Sequence, residues 1–413
     1  MRKLVFLWVV MWSLSGMGQG EDLPELPGLP GLPDLPALES ESSLPGSSIL
    51  SDSPLSPPAQ EEVPQNGVID LTDLVIYTDA PAPSRKPREF TDGENRLLKR
   101  IQRTLRIYRQ ISMATAENAP ADIMAFIVPF GCKVEIYEGS REAENHINAI
   151  GALCWNVPMG EEVAFGGKET LLPRVGYGVQ HYPGQLLGTM AMARVSIRYR
   201  FPAGGNRSFT VEDLIGFEKE RCQEGQDLSA VLIGLAYYTP WEATWETNDE
   251  EVWDLERVLR NELNRKVDLS EAESVRRLLG LTYALRCLKM HKKEPYGEFL
   301  RAKKFIDAFR LHALSLTNAA GCWHPQYFAY KGTSRDLTAM LISSGTILRW
   351  LVAATPVSEL SDEKLQKAVS VVEALLYQHL SRWDASNASP REIEGVCAAL
   401  HALALYQKRY FRQ

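Results

Sequence analysis

From about Glu94 onward the chain alternates two kinds of helical segment, and this alternation limits its folding options more than any other feature. Segments 120–130, 183–195, 227–238, 273–288, 337–354 and 392–406 are apolar and rich in small residues on every side. Between them, segments 95–111, 142–154, 211–222, 252–266, 297–316 and 362–380 carry one apolar stripe and one charged face. A helix that is apolar all round has to be buried, and one with a single stripe lies at a surface. Six of each kind predict an all-α domain over 93–413: an (α/α)6 toroid of antiparallel helical hairpins, with the apolar helices inside. An open solenoid of hairpins is the competing arrangement. Closure is favoured because the apolar segments are too greasy for an open concave wall. The last of them, ALHALALYQKRYF, also has no polar capping face.

The first 92 residues read differently. Residues 1–20 place Arg2 and Lys3 before an apolar run that is too short to span a bilayer and end in small residues, the pattern of a signal peptide. The expected product is exported, periplasmic or extracellular, and not an integral membrane protein. Residues 21–92 form a Pro-rich acidic spacer with the repeat LPELPGLPGLPDLP, a composition that favours disorder. One apolar island inside it, 68–79 (VIDLTDLVIYTD), reads as a docking segment. Twelve of the acids lie in 21–84, where there is no Lys or Arg, so the overall charge of −7 belongs to the spacer and the helical part is nearly neutral. Without clustered Lys and Arg there is no nucleic-acid surface to expect. The six cysteines permit disulfides in an exported chain, but Cys287 and Cys397 sit at apolar helical positions suited to buried thiols. No CxxC or Cys/His ladder supplies a metal site, and no cofactor motif is present.

The stretch 318–324, NAAGCWH, follows a striped helix and resembles the repeat of terpenoid cyclases and protein prenyltransferases, in which a helix ends in a turn leading to Gly-x-Trp. Here Gly321 and Trp323 match, with Asn318 near the usual Gln. The resemblance implies the toroidal fold. It does not carry the chemistry: no Asp-x-Asp-Asp motif exists, Cys322 and His324 alone cannot make a prenyltransferase zinc site, and PFGCKVE (129–135) lacks the residues of a thioester. The stretches 176–195, 243–264 and 297–309 resemble an exported planctomycete family of toroid-type proteins without an established activity. In that pattern a His directly precedes Pro-Gly, whereas here His181 stands one place earlier, with Tyr182 before Pro183.

In such a toroid the apolar helices run parallel and their N-termini converge on one mouth, each presenting free N–H groups and a positive dipole end. Asp122, Asp227, Glu273, Asp336 and Glu392 fall there as capping acids. His181 and Tyr182 are the candidate acid and base, with a hydrogen-bonded turn as the structural alternative. Candidate ligand contacts are Gln185, His324 and Arg335, together with Trp241 and Trp245 in an aromatic loop that could stack on sugar or serve as packing anchors. Two functions remain open: binding of a glycan, peptide or protein partner at the mouth, and a polysaccharide lyase or glycoside hydrolase acting on an acidic glycan. A lyase would need His and Tyr beside an Arg, and a hydrolase two carboxylates facing one cavity.

Overall fold

The computed structural model describes residues 89–411 apart from 112, 143 and 168. The leader (1–20), nearly all of the spacer (21–92) and the segment 68–79 lie outside the described residues. Within them the chain is predominantly helical, with twelve α-helices. The apolar segments become α2 (Pro120–Phe130), α4 (Gln185–Ala193), α6 (Ser229–Tyr238), α8 (Ala272–Met290), α10 (Leu337–Ala354) and α12 (Pro390–Tyr406). The striped ones become α1 (Asp92–Gln110), α3 (Ala149–Cys154), α5 (Val211–Glu220), α7 (Leu255–Asn264), α9 (Gly297–Leu316) and α11 (Glu363–His379).

Packing follows the chemistry of the segments. Helix α2 packs on α4, α4 on α6, α6 on α8, α8 on α10 and α10 on α12, and α12 returns to α2, so the order of contacts closes on itself. Striped helices add to this set: α7 on α6, α9 on α8, and α11 on both α10 and α12. In α1 the buried positions Leu97, Ile101, Thr104 and Tyr108 recur every three or four residues, the spacing of one helix face. That face meets α11, where Thr104 donates to Glu373 (2.9 Å) and the Tyr108 hydroxyl to the Leu376 carbonyl (3.0 Å). A capping box starts the helix, with Thr91 accepting from the Glu94 N–H and Glu94 accepting from the Thr91 N–H.

Between apolar helices the separation is set by small residues. A Cβ added to Gly345 of α10 would lie 2.5 Å from the Ala399 Cβ of α12, and one added to Gly395 of α12 would lie 2.6 Å from Ile342 of α10. Because 342 faces 395 and 345 faces 399, the two helices advance in the same direction. Trp350, fully buried, ties α10 to α8 by donating its indole N–H to the Thr282 hydroxyl at 3.1 Å. By length and composition α10 could cross a membrane, but most of it is buried inside the domain.

Two features depart from the sequence reading. Segment 142–154 is not a full surface helix: His146–Asn148 pairs as β2 with β1 (Glu135–Tyr137), and only the six residues of α3 are helical, all of them buried. Asn148 causes the late start, since its side chain accepts from the Gly151 N–H and its amide donates to the Cys132 carbonyl. Three further two-residue hairpins follow: β3–β4 (Phe165–Gly166, Leu172–Pro173), β5–β6 (Arg200–Phe201, Phe209–Thr210) and β7–β8 (Trp245–Glu246, Val252–Trp253). They occupy connections between helices and add no separate β-layer.

The NAAGCWH turn is a structural device. The Asn318 side-chain oxygen accepts from the N–H groups of Ala320, Gly321 and Cys322 (3.0 Å each), and Gly321 takes the positive φ of 96° that closes the turn. Trp323 is fully buried, with its indole N–H on the Ala313 carbonyl of α9 and its backbone N–H on Ser344 of α10. The tryptophan thereby locks α9 to α10. All six cysteines are buried free thiols.

Candidate functional site

His181 and Tyr182 are held by the turn that enters α4. Gly184 adopts φ 72°, and a Cβ there would lie 2.5 Å from Val231 of α6, so glycine is required on both counts. Two glutamines brace the turn: Gln185 accepts from the His181 N–H (2.7 Å), and the fully buried Gln180 accepts from the Leu186 N–H (2.8 Å). Both candidates therefore start from a rigid backbone at the N-terminal end of an apolar helix.

Charged side chains from three other helices meet them. His181 Nδ1 lies 3.9 Å from Glu394 Oε2 of α12. The Arg276 guanidinium of α8 lies over the Tyr182 ring at 4.0 Å and donates from Nε and Nη2 to Asp227 Oδ2 at 3.0 and 2.6 Å. Asp227 also pairs with Arg265 (3.2 Å), which contacts Glu262 and Glu273. Glu262 is fully buried and accepts from the Leu228 N–H and the Ser229 hydroxyl at the start of α6. Of these groups Tyr182, Arg276 and Glu394 line a cavity, together with Gln185, Cys397 and Arg349 of α10. Its free volume is about 30 Å³, the room of a water or two.

Each charge is tuned by its surroundings. The Glu394 carboxylate raises the His181 pKa above the usual imidazole range, more than offsetting burial. Burial pushes Glu394 up, but His181, Arg276 and Arg349 outweigh it and hold the carboxyl below its usual range. Burial raises the Tyr182 phenol far above its ordinary value. Asp122 of α2 is raised by burial too; its Oδ2 caps the Ala119 N–H while Oδ1 has no hydrogen-bond partner. Near neutral pH the site thus holds a neutral phenol and an ionised Glu394, beside an imidazole whose pKa that carboxylate raises.

Among the residues expected from sequence, His181, Tyr182 and Gln185 come together here. The others do not join them. Trp241 is only 7% exposed and packs edge-on against Phe299 at 5.2 Å, beyond the C-terminal end of α6. Trp245 is partly buried in β7, with the Lys219 ammonium 5.2 Å from its ring. Both therefore sit at the opposite end of α6 from His181. His324 is half-buried, accepts from the Gln326 N–H at Nδ1 and faces Tyr330, while Arg335 is exposed ahead of α10. Glu392 turns away to His379 Nε2 at 2.9 Å, and Glu394 takes the place by His181. Arg276, Arg349 and Glu394 escaped the sequence reading, although each is a charge inside an otherwise apolar helix, which is where an internal partner has to be sought. Among the described residues no three His, Cys, Asp or Glu side chains group as a metal site. Comparison with protein-family models, with curated proteins and with solved structures finds no match.

Proposed function

We propose that residues 93–413 form an (α/α)6 toroid, preceded by an export leader and spacer, that binds an acidic glycan at its N-terminal mouth without cleaving it. The closing order of contacts among the six apolar helices supports the toroid. The binding reading rests on one observation: Arg276 and Arg349 both line a cavity that holds a carboxylate-sized group and no sugar ring. A uronate carboxylate would enter this floor while the ring stays at the rim. Tyr177, 85% exposed in the chain that leads to α4, offers an aromatic face there.

The electrostatics favour binding over catalysis. A general base works best with a pKa near the operating pH. A phenol raised this far by burial is a poor proton acceptor near neutral pH. Asp227 and Glu394 offset part of the positive field, so the preference for acidic over neutral chains should be modest. Calorimetric titration of the full chain with an oligouronate tests this reading. Arg276→Met is expected to weaken binding about tenfold or more, and His181→Ala by a few-fold. Unchanged affinity in both variants, with the fold intact by circular dichroism, would remove the mouth as the site.

A further inference from the structure

Helix α1 carries six cations, Arg96, Lys99, Arg100, Arg103, Arg106 and Arg109, against two acids, Asp92 and Glu94, both in its first turn. All six are exposed. Steps of three or four residues keep them on the side of the helix away from the buried Leu97, Ile101, Thr104 and Tyr108. At 1.5 Å per residue the row from 96 to 109 runs for about 20 Å. The near neutrality of the helical part as a whole conceals this cluster in the sequence.

Little of this charge is neutralised within the described residues. Arg100 pairs with Glu373 of α11 at 3.1 Å, and Arg103 donates to the Tyr377 hydroxyl at 3.2 Å with its guanidinium 5.1 Å from that ring. Arg96, Lys99, Arg106 and Arg109 have no side-chain partner among the described residues. A solvated helix face ordinarily intersperses both signs, whereas like charges three and four residues apart repel, and a bound polyanion relieves that repulsion. The C-terminal end of the row comes to the mouth. Tyr108, between Arg106 and Arg109, packs on Trp383 at 5.9 Å, Trp383 lies 5.6 Å from His379, and His379 meets Glu392 in the first turn of α12 at 2.9 Å. Glu394, two residues further on, lines the cavity.

We infer that the outer face of α1 is a docking surface for a linear polyuronate, which lies along the helix and leads over the rim to the mouth. A pyranose ring is comparable in length to one helical turn, so successive uronate carboxylates can meet successive cations of the row. Tyr377, 46% exposed beside Arg103, presents a ring to the sugars. An anionic membrane fits this face less well, because the apolar stripe of α1 is spent against α11 and no large hydrophobic side chain of α1 is exposed. Where the polymer leads rests on the mouth reading above; the α1 surface itself does not.

Titration of the full chain with polygalacturonate and with trigalacturonate tests the inference, using a variant that combines Arg96→Gln, Lys99→Gln, Arg106→Gln and Arg109→Gln and leaves the packed Arg100 and Arg103 in place. The variant should lose about tenfold or more in affinity for the polymer and much of its salt dependence, while the trisaccharide, too short to span mouth and helix, should bind as to the parent chain. Equal polymer affinity in variant and parent would overturn the inference, as would an equal loss for polymer and trisaccharide. Tighter binding of oligothymidylate or of phosphatidylserine vesicles than of polygalacturonate, lost in the same variant, would assign the face to another partner and overturn it too. If the trisaccharide binds neither protein but the polymer still depends on the four cations, the α1 surface stands and the mouth reading falls. Should the variant not fold, the parent chain still decides: polymer affinity that does not drop between about 50 and 200 mM salt refutes a charged docking face.

Discussion

Replacing Gly345 by alanine is expected to destabilise the folded chain by about 2–4 kcal/mol, although alanine is the better helix former. The new Cβ would stand 2.5 Å from the Ala399 Cβ, 2.8 Å from its Cα and 3.0 Å from its N, and backbone on a neighbouring helix cannot step aside as a flexible side chain can. Relief requires α10 and α12 to move apart, which disturbs α8 and α2 because contacts run through the whole set of apolar helices. Gly216 of α5 provides the control, since nothing lies within 4 Å of an added Cβ there. Gly216→Ala should stabilise the chain by about 0.5–1 kcal/mol from helix propensity alone. Urea unfolding of both variants reads the two signs directly. A Gly345→Ala variant as stable as the parent chain would mean that α10 and α12 are not in such close contact.

The second large effect lies at Glu218 of α5, a carboxyl only 5% exposed whose pKa burial raises to about 7 against the pull of Arg221. An acid with a raised folded pKa binds more protons in the folded state than in the unfolded one. Stability from this group is therefore greatest below the unfolded value near 4.5, falls as pH rises and levels off above about 7. Glu218→Gln removes the ionisation and keeps the shape. The variant should match the parent chain near pH 4 and exceed it by about 3 kcal/mol near pH 8. Unfolding free energies measured across that range check the prediction. A constant difference between variant and parent at every pH would show that Glu218 titrates normally.

The helices were legible because their burial is written into composition. LTAMLISSGTILRWLVAA tolerates no solvent face, and NRLLKRIQRTLRIYRQI has one stripe that can be counted residue by residue. The segment ending at Cys154 was misread because periodicity cannot see a cap: Asn148 delays the helix, and Ile147 pairs across a short ladder with Ile136. The small hairpins were invisible for a related reason, since two-residue pairings are set by neighbouring turns and leave no period to detect. At the site, Pro183-Gly184 marked an entry turn and so pointed to His181 and Tyr182. Their partners Arg276, Glu394 and Arg349 come from positions more than 90 residues downstream, and only the closing of the helix contacts brings them to one cavity. The Trp-rich loop left two readings open, because aromatic composition alone does not distinguish a stacking platform from a wedge. Trp241 is a wedge between Phe299 and His291.

The central claim is that the mouth binds an acidic glycan and leaves it intact, and it is tested most directly by incubating the full chain with a polyuronate while following two signals. One is bound polymer, by calorimetry; the other is cleavage, as ultraviolet absorbance of unsaturated ends and as new reducing ends. The account predicts saturable binding that Arg276→Met weakens, with neither cleavage signal rising above the protein-free control. Growth of either cleavage signal that His181→Ala and Tyr182→Phe abolish would contradict it and make the cluster an active site, and absence of binding to any acidic polymer would contradict it as well.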